Sequence, residues 1–494
     1  MKRIIFTVIL FLTLFSMSGY AQENTLSATP VSFQVLVNGK EATFRQPIFC
    51  IQNRTYVPLR EVAETLGMNV NWNDEKKEIT IEQATNLANN KEITDENSGE
   101  ETTTPTQSDE VFAKIVPFKI IVNGSETSFQ MPVVTIVDKT YLPLREVAET
   151  LGLVVDWNDE TKVIEINHYE DKDLFYFRND GYEGFMDKKG KVIIEPTYIT
   201  ANPFSEGLSK VTAPNGLYGY IDTSGKTIIP FQYPHGYWFS EGLASVSYDH
   251  SYMTRDWFYI DKNGKKAFDQ EFLIANNFSE GYAAVVVDLG VDPFNGYLKW
   301  SYINKQGEPA TSLIFDQAYD FHDGVACVFN HEKWGLINST FELVVDYNYD
   351  IMSNMNEGLI AVKKDSKWGY IDSKGDVVLD FIYNYAGDFS EGLACVRVND
   401  ESRYIDKSGN TVLILPSSCK GQPFSEGIAI VTKKSGESSL DGAINKNGEF
   451  IVQPVYNRLL QCENGLMQVW DPIQFLYYIN TKGEIIKPIL TNGK

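Results

Sequence analysis

Two internal repeat systems constrain this chain more than any other feature of its sequence, because self-similarity at a fixed period decides the architecture before any local pattern does. In the first system, residues 31–83 recur as 116–168 at a constant offset of 85, without a gap, and 29 of 53 positions are identical. Each copy opens on an alternation, Phe33/Val35/Val37 or Phe118/Ile120/Val122, which predicts a strand with one buried face. Asn38-Gly39 and Asn123-Gly124 follow, a dipeptide that accepts positive φ in a two-residue hairpin. A second strand pair flanks Asn53-Arg54 and Asp138-Lys139. Pro58 to Gly67 reads as a short helix. Pro58 suits its first turn, Leu59, Val62, Ala63 and Leu66 share a face, and Gly67 suits the stop. Trp72, Ile79 and Ile81 belong to a closing hairpin across Asn73-Asp74. Each copy is expected to be a small α+β domain, one over 31–83 and one over 116–168.

The second system runs over 174–488 and is expected to hold nine units. The hairpin that follows the Trp-Gly-type strand of each unit carries Asp187, Asp222, Asp261, Asn304, Asn338, Asp372, Asp406, Asn445 or Asn480. Three residues on stand Gly190, Gly225, Gly264, Gly307, Phe341, Gly375, Gly409, Gly448 and Gly483. Asx first and Gly fourth suit a turn in which the side chain bonds a backbone N–H and Gly takes the left-handed conformation. Asp222/Gly225, Asp372/Gly375 and Asp406/Gly409 are the clearest such turns, and the turn with Phe341 is expected to differ in shape. A second signature, Phe-Ser-Glu-Gly, is most legible at Phe389, Glu391 and Gly392. Its glycines are spaced by 35, 39, 43, 34, 34, 35 and 38 residues. Each unit reads as a three-strand meander. Nine units exceed the usual four to eight blades of a propeller. The fold class expected is therefore mainly β, two α+β modules plus an open β-meander repeat array, with a closed β-propeller as the alternative.

Val-Asn-Gly, Tyr56-Val57-Pro58-Leu59-Arg60-Glu61-Val62-Ala63-Glu64-Thr65-Leu66-Gly67 and Trp72-Asn73-Asp74 make both copies of the first system resemble the copper amine oxidase amino-terminal-like, or stalk, domain of secreted bacterial proteins. The resemblance implies an accessory module and not the oxidase, whose copper and quinone chemistry belongs to another domain. The second array resembles the WG-repeat family, named for the dipeptide seen here at Trp334-Gly335 and Trp368-Gly369. That family implies no single activity.

Residues 84–115 are polar and acidic, with Glu92, Asp95, Glu96, Glu100, Glu101, Asp109 and Glu110. Such a stretch buries too little apolar surface to order itself and is expected to be a flexible, self-repelling linker. At the start of the chain, Lys2-Arg3, the apolar run Ile4 to Phe15 and Gly19-Tyr20-Ala21 read as a signal peptide over 1–21. Its apolar run is shorter than the roughly 20 residues a membrane span needs. No later segment is apolar enough to span, so export without a transmembrane segment is expected. The formal charge of −23 disfavours nucleic acid, which demands clustered basic charge. Five cysteines, Cys50, Cys327, Cys395, Cys419 and Cys462, form no paired framework. A Cys419–Cys462 bridge stays open.

No catalytic constellation emerges. The five histidines, His168, His235, His250, His322 and His331, share no ligand spacing, and no cofactor or metal site is expected. Asn348-Tyr349-Asp350 superficially matches the sequence around a quinone-forming tyrosine, but it lies in a repeat crossover. The repeated acids Glu206, Glu241, Glu280, Glu357, Glu391 and Glu426 recur once per unit, which points to one structural job, turning the chain, done many times. A lone Asx per turn supplies too few oxygens for calcium. The aromatic ladder of Tyr220, Tyr259, Trp334 and Trp368 suits packing more than a sugar platform. The function expected is an exported, non-enzymatic binding or scaffold protein of the bacterial cell envelope. Its partner would be a cell-wall polymer or an envelope protein. The alternative is an envelope glycan hydrolase using carboxylates of the array. The export reading predicts a mature chain beginning at Gln22; mass spectrometry of exported protein retaining Met1 would refute it.

Overall fold

The computed structural model describes residues 25–38, 40–42, 44–65, 68–73, 75–83, 111–122, 125–127, 129–158, 161–249, 256–287, 298–436, 438–470 and 476–490. The signal segment, Gly39, Asn123-Gly124, Gly67 and the acidic linker up to residue 110 lie outside them. The chain divides into two compact units, one ending near Asn167 and the other running from His168 onwards.

In the first unit the two copies do not form separate domains. Copy 1 contributes β1 (Thr25–Val31), β2 (Gln34–Val37), β3 (Lys40–Ala42), β4 (Ile48–Ile51), β5 (Arg54–Pro58), α1 (Leu59–Thr65), β6 (Met68–Asn73) and β7 (Glu78–Gln83). Copy 2 contributes β8 (Val111–Ile115), β9 (Lys119–Val122), β10 (Ser125–Thr127), β11 (Val134–Ile136), β12 (Lys139–Pro143), α2 (Leu144–Thr150), β13 (Val154–Asn158) and β14 (Val163–Asn167). Strands of both close one six-stranded barrel, in the order β1-β4-β5-β12-β11-β8. The strands outside the barrel are exchanged. β7 pairs in parallel with β9 of the other copy, and β14 with β2.

The register carries a pseudo-two-fold. In the β5–β12 ladder Val57 faces Leu142, its own equivalent at the offset of 85. In the β1–β8 ladder Leu26 faces Ala113 and Ala28 faces Val111, which is the same exchange about Ser27 and Phe112. This is the isologous geometry of a symmetric dimer, built within one chain. The core follows the strands. Ala28, Phe49, Ile51 and Tyr56 of copy 1 pack with Ala113, Val134, Ile136 and Tyr141 of copy 2 inside the barrel. Tyr56 also reaches across to donate its hydroxyl to the Pro132 carbonyl at 3.1 Å. Leu59 and Ala63 of α1 and Ile79 and Ile81 of β7 pack against Ile120, Leu142 and Val147. The expected domain limits therefore shift. β1 begins ahead of residue 31, and residues 111–115, expected as linker, form a barrel strand.

In the second unit the repeats form nine sheets in succession, beginning with Leu174–Asn179, Tyr182–Asp187 and Val192–Tyr198. From the second repeat on, most sheets gain a short strand ahead of the expected three, such as Tyr385–Ala386 before Ala394–Val398, Glu401–Ile405 and Thr411–Ile414. Repeats 3 and 4 lack the strand that follows the Asx turn and keep isolated bridges there, Trp257 with Phe272 and Ile260 with Lys266, and Trp300 with Phe315 and Ile303 with Pro309. Each boundary between consecutive repeats is filled by one apolar cluster drawn from both sides.

A stacked β-repeat array is thus what forms, and its two ends meet. Phe175, Phe177 and Met186 of repeat 1 pack with Leu466 and Tyr478 of repeat 9. Tyr478 donates to the Tyr176 carbonyl at 2.8 Å, and Ile489 N–H to the Gly190 carbonyl at 2.7 Å. Each sheet is open in itself, and these contacts bring repeat 9 against repeat 1. The interleaving predicts that a protease site engineered between Thr102 and Pro105 can be cut without releasing residues 22–103. The two fragments should co-elute in native buffer and separate only in denaturant; separation in native buffer would refute the shared barrel.

Candidate functional site

The chemistry-bearing residues of the array converge on the boundaries between repeats. At Ser205-Glu206-Gly207-Leu208 the chain makes a two-residue hairpin. Ser205 N–H donates to the Leu208 carbonyl at 2.9 Å and Leu208 N–H returns the bond at 3.1 Å. Glu206 has φ 54° and Gly207 φ 86°, the doubly left-handed arrangement of a type I′ turn. Glu241, Glu280, Glu357, Glu391 and Glu426 take the same positive φ. Such turns favour Asn or Asp, so Glu demands a second reason.

That reason is reach. Each carboxylate accepts the motif glycine N–H of the following repeat: Glu206 from Gly242 at 2.9 Å, Glu280 from Gly324 at 2.9 Å and Glu391 from Gly427 at 3.1 Å. Lysines in the Asx turns of the following repeats pair with four of these carboxylates, Lys262 with Glu206 at 3.2 Å and Lys446 with Glu391 at 3.0 Å among them. Asp323, one methylene shorter, holds no such bond among the described residues. The motif serine completes the clasp. Ser205, Ser240, Ser279, Ser390 and Ser425 donate their hydroxyls to the backbone carbonyl of the next motif's first residue, at 2.6–2.8 Å.

The first motif residue is a plug. Phe204 meets Phe185 of the preceding repeat, Phe239 meets Tyr220, Phe278 meets Tyr259, Phe321 meets Tyr302, Phe389 meets Tyr370 and Phe424 meets Tyr404, at 4.7–5.1 Å between ring centres. The tyrosines are buried, so their hydroxyls need partners. Tyr220, Tyr259, Tyr302, Tyr370 and Tyr404 each donate to the carbonyl two residues before the next plug. Burial pushes all five phenols up, which keeps them protonated donors. Where Leu336 replaces the tyrosine, the Cys327 thiol donates to the corresponding carbonyl, Ser353, at 3.1 Å.

The Asx turns share one geometry. Asp222 Oδ1 accepts from Ser224 and Lys226 N–H, Asp372 Oδ1 from Lys374 and Asp376, and Asp406 Oδ1 from Ser408 and Asn410, all at 2.9–3.0 Å. Gly225, Gly375 and Gly409 have φ 87°, 86° and 81°. The turn with Phe341 does not differ in shape, contrary to expectation. Phe341 N–H donates to the Asn338 carbonyl at 2.8 Å, and Phe341 itself takes φ 62°. Its ring packs 5.0 Å from Tyr282 and 5.6 Å from Tyr302 in repeat 4, whose sheet has only two strands among the described residues. The contact compensates for the strained φ.

Trp-Gly has a local cause as well. Trp368 pairs with Tyr383 but Tyr370 pairs with Leu379, so the outer strand bulges past Gly369. A Cβ on Gly369 would lie 2.7 Å from the Leu379 carbonyl oxygen, and one on Gly335 2.7 Å from that of Val345. Trp334 is buried between Tyr319 and Phe329, and Trp368 leans on Tyr385. With Tyr220 and Tyr259 fully buried, the ladder is core and not a sugar platform. Tyr349 is likewise buried and stacks on Phe381, while Asp350 pairs with Lys333. All five cysteines are free, and Cys419 and Cys462 sit in different clusters. No helix of the described residues is long and apolar enough to cross a membrane.

One boundary departs from the rest. Between repeat 9 and repeat 1 lies a cavity of about 480 Å³. Its walls include Leu174, Phe204, Leu460, Leu466 and Tyr478, with Glu463 at the rim. Inside it Gln468 links the hydroxyls of Tyr176 and Tyr478, at 3.2 and 3.1 Å. Sequence reasoning missed this feature, although the signal was present: residues 170–173 ahead of Leu174 lack the motif.

Comparison with known proteins fits this geometry. Residues 20–81 and 36–166 match the copper amine oxidase N-terminal domain, the second span covering both interleaved copies. Residues 184–213, 218–249, 257–288, 300–334, 334–368, 368–401 and 442–469 match the WG containing repeat. The chain thus carries a copper amine oxidase N-terminal domain followed by WG repeats, and neither family is a catalytic domain. No curated protein matches. Among solved structures, a eukaryotic initiation factor is 14% identical with a TM-score of 0.46 and covers 64% of this chain and 95% of its own. BamB from Moraxella catarrhalis is 8% identical with a TM-score of 0.35, covering 58% and 96%. AztD from Citrobacter koseri is 13% identical with a TM-score of 0.33, covering 66% and 96%.

Two outcomes follow from the boundaries. A Cβ on Gly375 would lie 2.6 Å from Val345 Cγ2 of the previous repeat, on top of the roughly 1–2 kcal/mol that a β-branched residue loses at positive φ. Gly375→Val should therefore lower the denaturant midpoint, and so should Phe341→Gly, whose lost ring contacts, about 3 kcal/mol or more, exceed the strain relieved. A parental midpoint for Gly375→Val would overturn the shared turn geometry. The second outcome is acid sensitivity. Burial pushes the Glu391 carboxyl up, but the bonds from Lys446 and Gly427 N–H outweigh it, leaving it below its ordinary range. A depressed folded pKa contributes stability above the unfolded value, about 4.3, and loses it as pH falls through the folded one. The array's melting temperature should drop below about pH 4.3, and Glu391→Gln should lower it at neutral pH while flattening that dependence.

Proposed function

We propose that the chain is an exported, non-enzymatic binding or scaffold protein of a bacterial cell envelope, whose β-repeat array presents a surface to a protein or glycan partner. The observation that carries this reading is the commitment of the motif carboxylates. Six of them, one per repeat, accept backbone N–H groups of the next repeat instead of facing a common cleft. A general acid or nucleophile would instead stand opposite a second carboxylate across a substrate. The apolar side chains that remain exposed, Trp238, Tyr248 and Trp470 among them, offer contact area to a partner.

The test uses the purified mature protein. It should co-sediment with envelope fractions and release no soluble product from cell-wall polymers over hours. Turnover abolished by Glu391→Gln with the fold intact would favour the hydrolase instead. Fractionation that leaves the protein in the cytoplasm would refute export.

A further inference from the structure

Among the described residues, the 9/1 boundary is the one place where a repeat has no plug to receive. Everywhere else the plug stands four residues before the first strand's leading residue, as Phe204 stands before Leu208. Counting back from Leu174 gives Glu170, whose side chain is 59% exposed and paired with Lys172 at 2.8 Å. Tyr478, the counterpart of Tyr220 and Tyr370, therefore faces no plug. Phe175 approaches it from the strand at 5.4 Å instead. The boundary brings together five buried apolar residues, where every other boundary brings seven or more. The space left over is the cavity of about 480 Å³, within the roughly 300–1,000 Å³ of ligand pockets.

The clasp of repeat 9 is changed in the same place. Glu463 stands where five other repeats carry the serine that donates to the incoming plug's carbonyl, and Asn464 stands where they carry the glutamate. A serine hydroxyl gives a hydrogen bond to a backbone; a carboxylate takes one from a cation. Asp171, at the same rim, already accepts the Gly207 N–H at 2.9 Å, so Glu463 is the rim carboxylate left for a ligand. Leu174, Phe175, Phe204, Leu460 and Leu466 give the wall its apolar area, the rim is polar and carries Lys172, which Glu170 holds, and the floor, Gln468 with two tyrosine hydroxyls, is already satisfied. The site is continuous with the inter-repeat interface and differs from it by one missing side chain and one reversed polarity.

We propose that the seam between repeats 9 and 1 is a peptide-binding site, which takes a bulky aromatic side chain into the cavity against Tyr478 and a neighbouring Lys or Arg onto Glu463. The ligand supplies from outside the plug that the other repeats supply from within. The overall charge of −23 favours such a basic partner. The proposal rests on the reading of the array as a binding module and deepens it.

The test is fluorescence anisotropy of the mature protein with a dye-labelled peptide, Gly-Lys-Phe-Ser-Lys-Gly. Replacing its Phe by Ala should weaken binding at least tenfold. Leu460→Trp, which fills the cavity, should abolish binding, and thermal melting of the variant confirms the fold. Glu463→Lys alters an exposed rim position. It should weaken binding of the Lys peptide and restore binding of a peptide with Glu in place of both lysines, a swap that a merely structural role would not produce. No binding at millimolar peptide, or affinities unmoved by both variants, overturns the site. If the peptide fails while the protein still co-sediments with envelope fractions, the seam proposal falls and the binding reading stands; if the peptide binds and co-sedimentation fails, the reverse holds.

Discussion

The contact of a motif phenylalanine with the aromatic ring of the preceding repeat sets up most of what the array does. Burying such a side chain is worth roughly 1.5–3 kcal/mol, and an aromatic pair adds about 0.5–1.5 kcal/mol. The neighbouring ion pairs are partly exposed and contribute less, about 0–1 kcal/mol each. The plug therefore supplies the attraction. The clasp fixes position, because a carboxylate on a type I′ turn reaches the motif glycine N–H of the next repeat, and Glu426 takes the Asn464 N–H as well. Stability is then distributed over boundaries, as in other repeat proteins, with no single central core.

Departures from the motif are repaired locally. At the 5/6 boundary Met355 is the plug and Leu336 its receiver, and the donor a tyrosine would have supplied comes from Cys327. Burial pushes that thiol up to about 12, so it stays a donor. At the 8/9 boundary Cys462 faces Ala443, and Leu459, Met467 and Val469 fill the volume. Phe341 accepts a left-handed backbone because repeat 4 offers its ring a place. In each case an irregular residue is explained by its counterpart on the adjacent sheet, which makes the boundary, and not the repeat, the unit in which this sequence is consistent.

Much of this was legible in the sequence. The Asx turns, the Glu-Gly turns and the strand phases are local, so their signals lie within a few residues. Three features were legible only in part or not at all. The exchange of strands between the N-terminal copies leaves no local trace: copy 1 and copy 2 share so much sequence that β7 could pair with β2 or with β9 using nearly the same side chains. Which pairing forms depends on closing one barrel from both. The function of the motif glutamate was half legible. Positive φ explains its place in the turn, but its length has meaning only once the next glycine N–H is seen 35 to 44 residues away. The Gly of Trp-Gly was hidden for the same reason, since the bulge it accommodates belongs to another strand.

Closing the ring sets a condition that the repeat motif cannot meet by itself. A row of identical boundaries would leave its first repeat without a predecessor and its last without a successor. This chain joins the two by other means. Residues 487–489 run back beside Gly190, so closely that a Cβ there would lie 2.2 Å from the Lys487 carbonyl oxygen, and Phe175 leans on Tyr478 from the strand. Those contacts hold the ends together without reproducing the plug. The cavity at the seam is therefore a consequence of how the ring is closed, and it falls where Glu463 and Asn464 have been released from the clasp. A boundary whose own chain supplies neither the aromatic ring nor the serine donor keeps the shape of an inter-repeat interface while leaving it unfilled. The physical terms that join repeats elsewhere, aromatic burial and a short polar bridge, are the terms by which that boundary would recognise a ligand.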